Sequence, residues 1–237
     1  MNLEGKLQRS KSTECINFSK YQPSNVSDPL VKISSTSGMI VEPYWALIDN
    51  WEGKRYADYI SKHPEYDGIY VRSKLANRLK LAADSLGDDY RLVVRAGHRP
   101  IEVQRALLAE CAEDYKNENP EASQKEALEH ARTFVSDPDI KLAPHVCGAA
   151  VDIELADTVS GKLLDFGNRI NKDENESFLH YPNLTNLQKH NREILLTTML
   201  GAGFASCMPE WWHYSYGDQT WAWFYGQQHS LYSPIDL

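Results

Sequence analysis

A histidine and an aspartate lie seven residues apart in the segment His145-Val-Cys-Gly-Ala-Ala-Val-Asp152. His145 leaves a loop, Gly148 permits a sharp bend, and a strand then presents Asp152 on its less apolar face. Because Asp152 is flanked by Val151 and Ile153, its carboxylate is costly to bury unless it is paired or bound to a metal. The segment therefore offers two candidate metal ligands.

A second cluster, Glu210-Trp-Trp-His213, directly follows Pro209. It places a carboxylate and an imidazole three residues apart at the mouth of an aromatic strand. Proline disfavours a helix through this point, so we expect Glu210 in a turn and His213 among the first strand residues.

Two histidines and one aspartate form a ligand set typical of catalytic zinc. Three protein ligands (His145, Asp152 and His213) leave the fourth tetrahedral position to water, whereas a structural site is closed by four ligands, usually with cysteine. Zinc lowers the pKa of its water to about 7, and a nearby carboxylate that is not a ligand can take the proton. Glu210 has the residue type and the position to do so.

A third element is a turn, Arg95-Ala-Gly-His-Arg99-Pro100, at the end of an apolar strand. Arg99 is always charged and is held there by the rigid Pro100. Its forked donors can polarise a carbonyl and stabilise the oxyanion of a tetrahedral intermediate.

Each of these residues taken alone has an ordinary structural explanation. A lone histidine is a surface residue or a satisfied core residue, and this is our interpretation of His63, His130, His180, His190 and His229. We interpret Cys147 as a small packing residue. We interpret the aromatic run 211–225 as part of the hydrophobic core in preference to a surface that binds substrate. The functional interpretation depends on all three elements occurring together and in order.

Together they resemble the zinc D-Ala-D-Ala peptidases, and within that group they are most similar to the D-alanyl-D-alanine dipeptidases of the VanX type. The resemblance covers about residues 70–225 and rests on three motifs: HxxGxAxD (His145, Gly148, Ala150, Asp152), ExWH (Glu210, Trp212, His213) and GxRP (Gly97, Arg99, Pro100).

The resemblance implies one Zn2+ per chain, bound by His145, Asp152 and His213. It implies that Glu210 is the general base and acid, and that Arg99 stabilises the transition state. Two positions depart from the family pattern: Ala143 stands where the family often has serine, and His98 stands where it commonly has tyrosine.

The elements that must position these residues can be predicted from periodicity and from turn-forming residues. Helices are predicted at 73–86, 101–116, 121–135 and 184–200, strands in YRLVVRAG and AAVDIEL, and a hairpin around Gly217-Asp218. Since strands and helices do not alternate strictly, we expect an α+β fold. Residues 39–237 are predicted to form one compact zinc peptidase domain, preceded by a polar N-terminal extension at 1–38. The resemblance implies a central antiparallel sheet with flanking helices and the zinc site over the sheet.

Composition narrows the class of protein. At 237 residues and 42% hydrophobic the chain can bury a core, and no stretch approaches the roughly 18 apolar residues of a membrane span. The net charge of -8 argues against nucleic-acid binding. No secretory signal is visible, which predicts a cytoplasmic protein, or a periplasmic one if a signal has been removed.

Three functions stay open at this stage. The leading one is a zinc dipeptidase acting on a small peptide such as D-Ala-D-Ala. In a closed pocket, Trp211, Trp212 and Tyr214 and the loops 136–144 and 157–182 could form walls, while Glu154 or Asp165 could bind the amine. The alternatives are a D,D- or L,D-carboxypeptidase or endopeptidase acting on peptidoglycan stem peptides, and a non-enzymatic, zinc-stabilised binding module.

Overall fold

The computed structural model describes residues 1–43, 51–170 and 175–235. The helices of this part are α1 (Leu3–Arg9), α2 (Trp51–Lys62), α3 (Ser73–Ser85), α4 (Ile101–Glu118), α5 (Gln124–Phe134), α6 (Asn186–Gly201) and α7 (Gln219–Phe224). Its strands are β1 (Leu30–Lys32), β2 (Met39–Val41), β3 (Tyr70–Arg72), β4 (Tyr90–Ala96), β5 (Ala150–Asp157), β6 (Ala205–Ser206) and β7 (His213–Ser215).

The central sheet has five strands in the order β2-β4-β5-β7-β6, and β1 pairs with β3 in a separate two-stranded sheet. The pairs β4–β5, β5–β7 and β6–β7 are antiparallel, which confirms the predicted α+β fold with a central antiparallel sheet. The edge strand β2 pairs with β4 in parallel. A parallel pair needs a long crossover connection, and this one includes α2 and α3.

One face of the sheet carries the main core. The predicted alternation of β5 is confirmed, because Val151, Ile153 and Leu155 lie in this core and are fully buried. Helices α3 and α6 cover the face with apolar side chains that include Leu75, Leu79, Leu195 and Met199. Complete burial of one such leucine contributes about 1.5–3 kcal/mol, so this face supplies a rigid support for the residues on the other side.

The opposite face of the sheet carries the polar residues of β5. Near one end, Ala96 packs against Val103 and Leu107 of α4. Further along, Glu154 accepts a hydrogen bond from Arg95 Nε at 2.7 Å, so its carboxylate is paired. Asp152 is paired with Ala96 across the two strands and leaves the same face as Glu154, where it borders a cavity.

The C-terminal aromatic segment differs from the prediction. The predicted hairpin around Gly217-Asp218 is wrong: after β7 the chain turns and enters α7. Asp218 is the N-cap residue of this helix, and its Oδ1 accepts a hydrogen bond from the Trp221 amide at 2.7 Å. Aspartate at an N-cap satisfies an otherwise unpaired helical N–H, and this local bond favours a helix over a second strand.

The N-terminal residues lie against the rest of the chain. Lys6 Nζ donates to the Leu200 carbonyl at the end of α6, at 2.7 Å. Further along, the Ser24 and Val26 amides donate to the carbonyls of Ser230 and Leu231 at 2.9 Å each. The division of the chain at residue 38 stays a prediction. Across the described part of the chain, no helix combines the length and the apolar character needed to cross a membrane.

Candidate metal centre and active site

His145 is positioned by a tight turn that precedes β5. Gly148 has a φ of +64° in this turn, and a Cβ atom there would come within 2.5 Å of the Leu30 side chain. Glycine adopts this φ without strain, and a larger residue would also force the Leu30 side chain to move. The ring of His145 is oriented by Nδ1, which lies 2.8 Å from the Gly97 carbonyl and, as the protonated nitrogen, donates to it. The other nitrogen, Nε2, then lies 3.5 Å from Asp152 Oδ1.

Asp152 and His213 face each other across the sheet. They are paired in register on the antiparallel strands β5 and β7, so their side chains leave the same face. His213 Nδ1 lies 3.2 Å from Asp152 Oδ1, and both side chains are buried. The structure therefore brings together the three residues that the sequence predicted as ligands.

The donor set fits a tetrahedral metal ion. One ligand atom from each of His145, Asp152 and His213 lies within 4.8 Å of the other two. Zinc bonds of about 2.0–2.1 Å at tetrahedral angles place neighbouring ligand atoms about 3.3–3.4 Å apart. The two separations to Asp152 Oδ1, 3.2 and 3.5 Å, bracket that value.

Electrostatics at the site favour a cation. Burial lowers the pKa of His145 despite the neighbouring carboxylate. Burial alone would raise the pKa of Asp152, but His145 and His213 hold it well below its usual range. At His213 burial opposes the charged form, yet the hydrogen bond and the charge of Asp152 raise its pKa. A neutral imidazole and an ionised carboxylate are the forms that bind metals, and a cation there competes with a proton on His213.

Glu210 lies beside this group in a turn, as predicted. Its Oε2 is 3.6 Å from His213 Nδ1, and its side chain is one-third exposed at 33%. The His213 amide donates to the Glu210 carbonyl at 3.2 Å, which fixes the turn between them. A carboxylate at this position can reach a water molecule held next to the three buried ligands.

Arg99 is joined to the histidine turn through the backbone. Its amide donates to the His145 carbonyl at 3.1 Å, and its Nη1 donates to Gln104 Oε1 at 2.9 Å. Gln104 is itself held by the Ser136 carbonyl at 2.8 Å. The guanidinium is thus buried and preorganised at the cavity, with Gln104 as a positioning residue that the sequence analysis missed. A polar residue inside the apolar stripe of α4 was the available signal.

All five predicted site residues line one cavity of about 550 Å³, a size typical of small-molecule sites. Of the three aromatic residues that were predicted to form walls, Trp212 lines this cavity. Trp211 and Tyr214 do not line it and are buried in the main core. Both departures from the family pattern are buried, and Ala143 lines the cavity.

The loop 136–144 contributes to the lining, as predicted. Neither Glu154 nor Asp165 is among the described residues that line the cavity. Both are engaged elsewhere, Glu154 with Arg95 and Asp165 with Gln188. None of the described residues of the loop 157–182 lines this cavity, and residues 171–174 of that loop lie outside the described residues.

Comparison with known proteins matches residues 47–234 to the peptidase family described as D-Ala-D-Ala dipeptidase. A D-alanyl-D-alanine dipeptidase of Synechocystis sp. is 32% identical over 203 residues, which are 76% of this chain and 80% of the relative. The chain belongs to this peptidase family. The resemblance predicted from the three motifs is thereby confirmed.

Other similar proteins are more distant. A D-alanyl-D-alanine dipeptidase of Escherichia coli is 25% identical over 174 residues, covering 73% of this chain and 77% of the relative. Among solved structures, a vancomycin-resistance D,D-pentapeptidase VanY in complex with Zn(II) is similar at 19% identity and a TM-score of 0.43, covering 69% of this chain and 83% of that chain.

A buried polar chain behind His213 was also missed by the sequence analysis. Ser215 Oγ lies 3.4 Å from His213 Nε2, on the side away from Asp152. Burial raises the pKa of the neighbouring Asp218, and hydrogen bonds from the Trp221 amide and the Ser215 hydroxyl partly offset this effect. Such partners of a ligating histidine fix its orientation. The N-cap position of Asp218 before Gln219 was the signal for its helix, but not for this contact.

Replacing Asp218 with asparagine is expected to weaken zinc binding about 10–100-fold, the range typical of outer partners of metal ligands. The substitution keeps an oxygen for the helix cap but removes the charge behind Ser215. Competition with a chromophoric chelator measures the affinity. Asp139→Asn is the matched control, because Asp139 pairs with Arg105 on the surface. Unchanged affinity in Asp218→Asn, with Ser215→Ala also unchanged, would contradict a role in orienting His213.

Proposed function

We propose that this protein is a zinc-dependent peptidase that hydrolyses the free dipeptide D-Ala-D-Ala. The observation that carries the proposal is the geometry of one cavity, where two histidines and an aspartate converge beside Glu210 and Arg99. The names of relatives that match most of the chain, both D-alanyl-D-alanine dipeptidases, support the substrate class.

His145, Asp152 and His213 would hold the metal through Nε2, a carboxylate oxygen and Nδ1. A bound zinc ion supplies a water molecule with a pKa near 7 and polarises the scissile carbonyl. The three side chains set its position through the Gly97 carbonyl, the β5–β7 pairing and Ser215.

Glu210 would move the proton. Its carboxylate accepts a proton from the attacking water as the oxygen forms a bond to the carbonyl carbon. It then donates that proton to the leaving nitrogen as the C–N bond breaks, so that one residue acts as base and then as acid. The 3.6 Å separation between Glu210 Oε2 and His213 Nδ1 supports this role, because a water molecule bound beside the three ligands would be close to the carboxylate.

Arg99 would stabilise the negative charge that develops on the carbonyl oxygen. Its guanidinium is held in place by Gln104 before substrate arrives, so no reorganisation is required during the reaction. A fixed, always-charged donor in a buried site acts more strongly on the transition state than on the neutral carbonyl of the substrate.

A metal analysis combined with a peptide panel tests the proposal. The purified protein should carry zinc and should cleave D-Ala-D-Ala, with activity lost on chelation and restored by added zinc. The panel compares D-Ala-D-Ala with L-Ala-L-Ala, N-acetyl-D-Ala-D-Ala and a stem pentapeptide. Equal turnover of the pentapeptide or the blocked peptide would favour a carboxypeptidase. Zinc-loaded protein that cleaves none of the four would favour a non-enzymatic module.

Replacing Arg99 with alanine is expected to lower kcat about 10²–10³-fold, as for loss of one oxyanion donor, with little change in KM or zinc content. Lysine should restore little, since it lacks the planar fork. Steady-state kinetics on D-Ala-D-Ala measure the effect, with Arg105→Ala as the control because Arg105 lies on the surface. A higher KM at unchanged kcat would instead make Arg99 a clamp for the substrate carboxylate.

A further inference from the structure

One wall of the catalytic cavity comes from the N-terminal segment of the chain. Residues between Arg9 and Phe18 line the same cavity as His145, Glu210 and Arg99. The family match begins at residue 47, so this wall is built by a part of the chain outside that match. We call residues 9–18 the N-terminal wall.

The N-terminal wall is fastened at both ends to α7. At its start, the guanidinium of Arg9 lies 3.9 Å above the Trp223 ring and its Nη2 donates to the Trp223 carbonyl. At its end, Gln219 Nε2 donates to the Phe18 carbonyl at 3.0 Å. Because α7 follows the strand that carries His213 by a few residues, the wall is held in a set position relative to the metal site.

The wall also has internal support. Arg9 forms an ion pair with Glu14 at 3.5 Å, and Ile16 packs against the main core. The middle of the wall is therefore tethered by one charged contact and one apolar contact. Removing these two side chains should loosen the segment without disturbing α1 or the contacts of Phe18.

A second cavity lies on the far side of the wall. It is lined by residues that include Phe178, Tyr181 and Pro182, and Thr13 and Met208 line both cavities. The wall and Met208 thus stand between the catalytic cavity and an adjoining surface with two aromatic side chains. A peptide that extended from the catalytic cavity into the second cavity would pass Thr13 and Met208.

We propose that the N-terminal wall sets the length of the peptide that the site accepts, and that it excludes substrates extended beyond two residues. This inference rests on the proposed peptidase function and adds to it a specificity determinant. A wall tethered at both ends limits the cavity by steric exclusion. Differences in pocket contacts of this kind typically change substrate discrimination about 10–200-fold.

The test uses the full-length, zinc-loaded protein with Thr13, Glu14 and Ile16 all replaced by alanine. Its kcat/KM is measured for D-Ala-D-Ala and for tripeptides extended at the amino or at the carboxyl end. We expect the ratio of tripeptide to dipeptide kcat/KM to rise at least about tenfold for one of the two tripeptides. The matched control replaces Asn17, Ser19 and Lys20 by alanine, which lie in or beside the segment but do not line the cavity.

A binding measurement separates exclusion from slow chemistry. Calorimetry in a Glu210→Gln background should show tighter tripeptide binding for the triple wall variant than for the unmodified wall. Thermal unfolding confirms that each variant is folded. If the parent protein cleaves the dipeptide and both ratio and binding stay at the control values, the wall does not set substrate length. If the parent protein cleaves no peptide, the proposed function itself fails.

Discussion

Alanine at position 145 should remove most of the bound zinc and nearly all peptidase activity. In the proposed site His145 supplies one of three ligand atoms, and Asp152 and His213 alone would leave two of the four tetrahedral positions without a protein ligand. We expect the zinc affinity to fall by more than the roughly 10–100-fold that outer partners of a metal ligand contribute. Asp152→Ala and His213→Ala should behave in the same way.

Metal content after gel filtration, together with kcat/KM for D-Ala-D-Ala, measures this effect. His190→Ala is the matched control, because His190 is exposed on α6 and does not line the cavity. Thermal unfolding of each apo protein separates loss of a ligand from loss of the fold. Stoichiometric zinc retained by His145→Ala at the original affinity would show that this ligand set is wrong.

The parts of the fold and site that were predicted are those encoded by local pattern. The alternation in β5 depends only on the period of a strand, and it predicted that Asp152 would leave the face opposite to Val151 and Ile153. Gly148 was predicted to allow a bend, and its positive φ together with the nearby Leu30 side chain explains why. The strand periodicity and the glycine therefore predicted the face of Asp152 and the bend at Gly148 without any knowledge of tertiary contacts.

The parts that were missed depend on contacts between distant segments. No local pattern predicts that Arg9 would stack on Trp223, so the N-terminal wall could not be inferred from residues 9–18. The segment that forms α7 was predicted as a strand because its aromatic residues favour strands. The N-cap hydrogen bond of Asp218 stabilises a helix there instead. Tertiary packing and one side-chain cap outweighed propensity in these places.

The chemistry of the site depends on this combination of local and distant contacts. Gly97 illustrates it: its carbonyl orients the ring of His145, while a Cβ atom there would lie 2.5 Å from the Tyr70 carbonyl. The turn that carries Arg99 and the turn that carries His145 are therefore packed as one unit against β3. Changes that displace this unit should affect the metal site and the oxyanion donor together.

Glutamine or alanine at position 210 should abolish most activity while zinc stays bound. In the proposed mechanism Glu210 transfers a proton and is not one of the three residues that would bind the metal, so its loss should remove acid–base catalysis alone. The expected fall in kcat is about two to four orders of magnitude. Glutamine nearly preserves the size of the side chain. The Glu210→Gln protein should therefore bind D-Ala-D-Ala with little change in affinity.

Two measurements on the same samples make this prediction decisive. Metal analysis of Glu210→Gln should give the zinc content of the parent protein, and single-turnover kinetics should locate the defect in the chemical step. Glu193→Gln, on the exposed side of α6, controls for loss of one surface charge. Parallel loss of zinc and activity would make Glu210 a fourth ligand, closing the position that water needs. Full activity with zinc in place would remove Glu210 from the mechanism and leave the proton transfer to another group in the cavity.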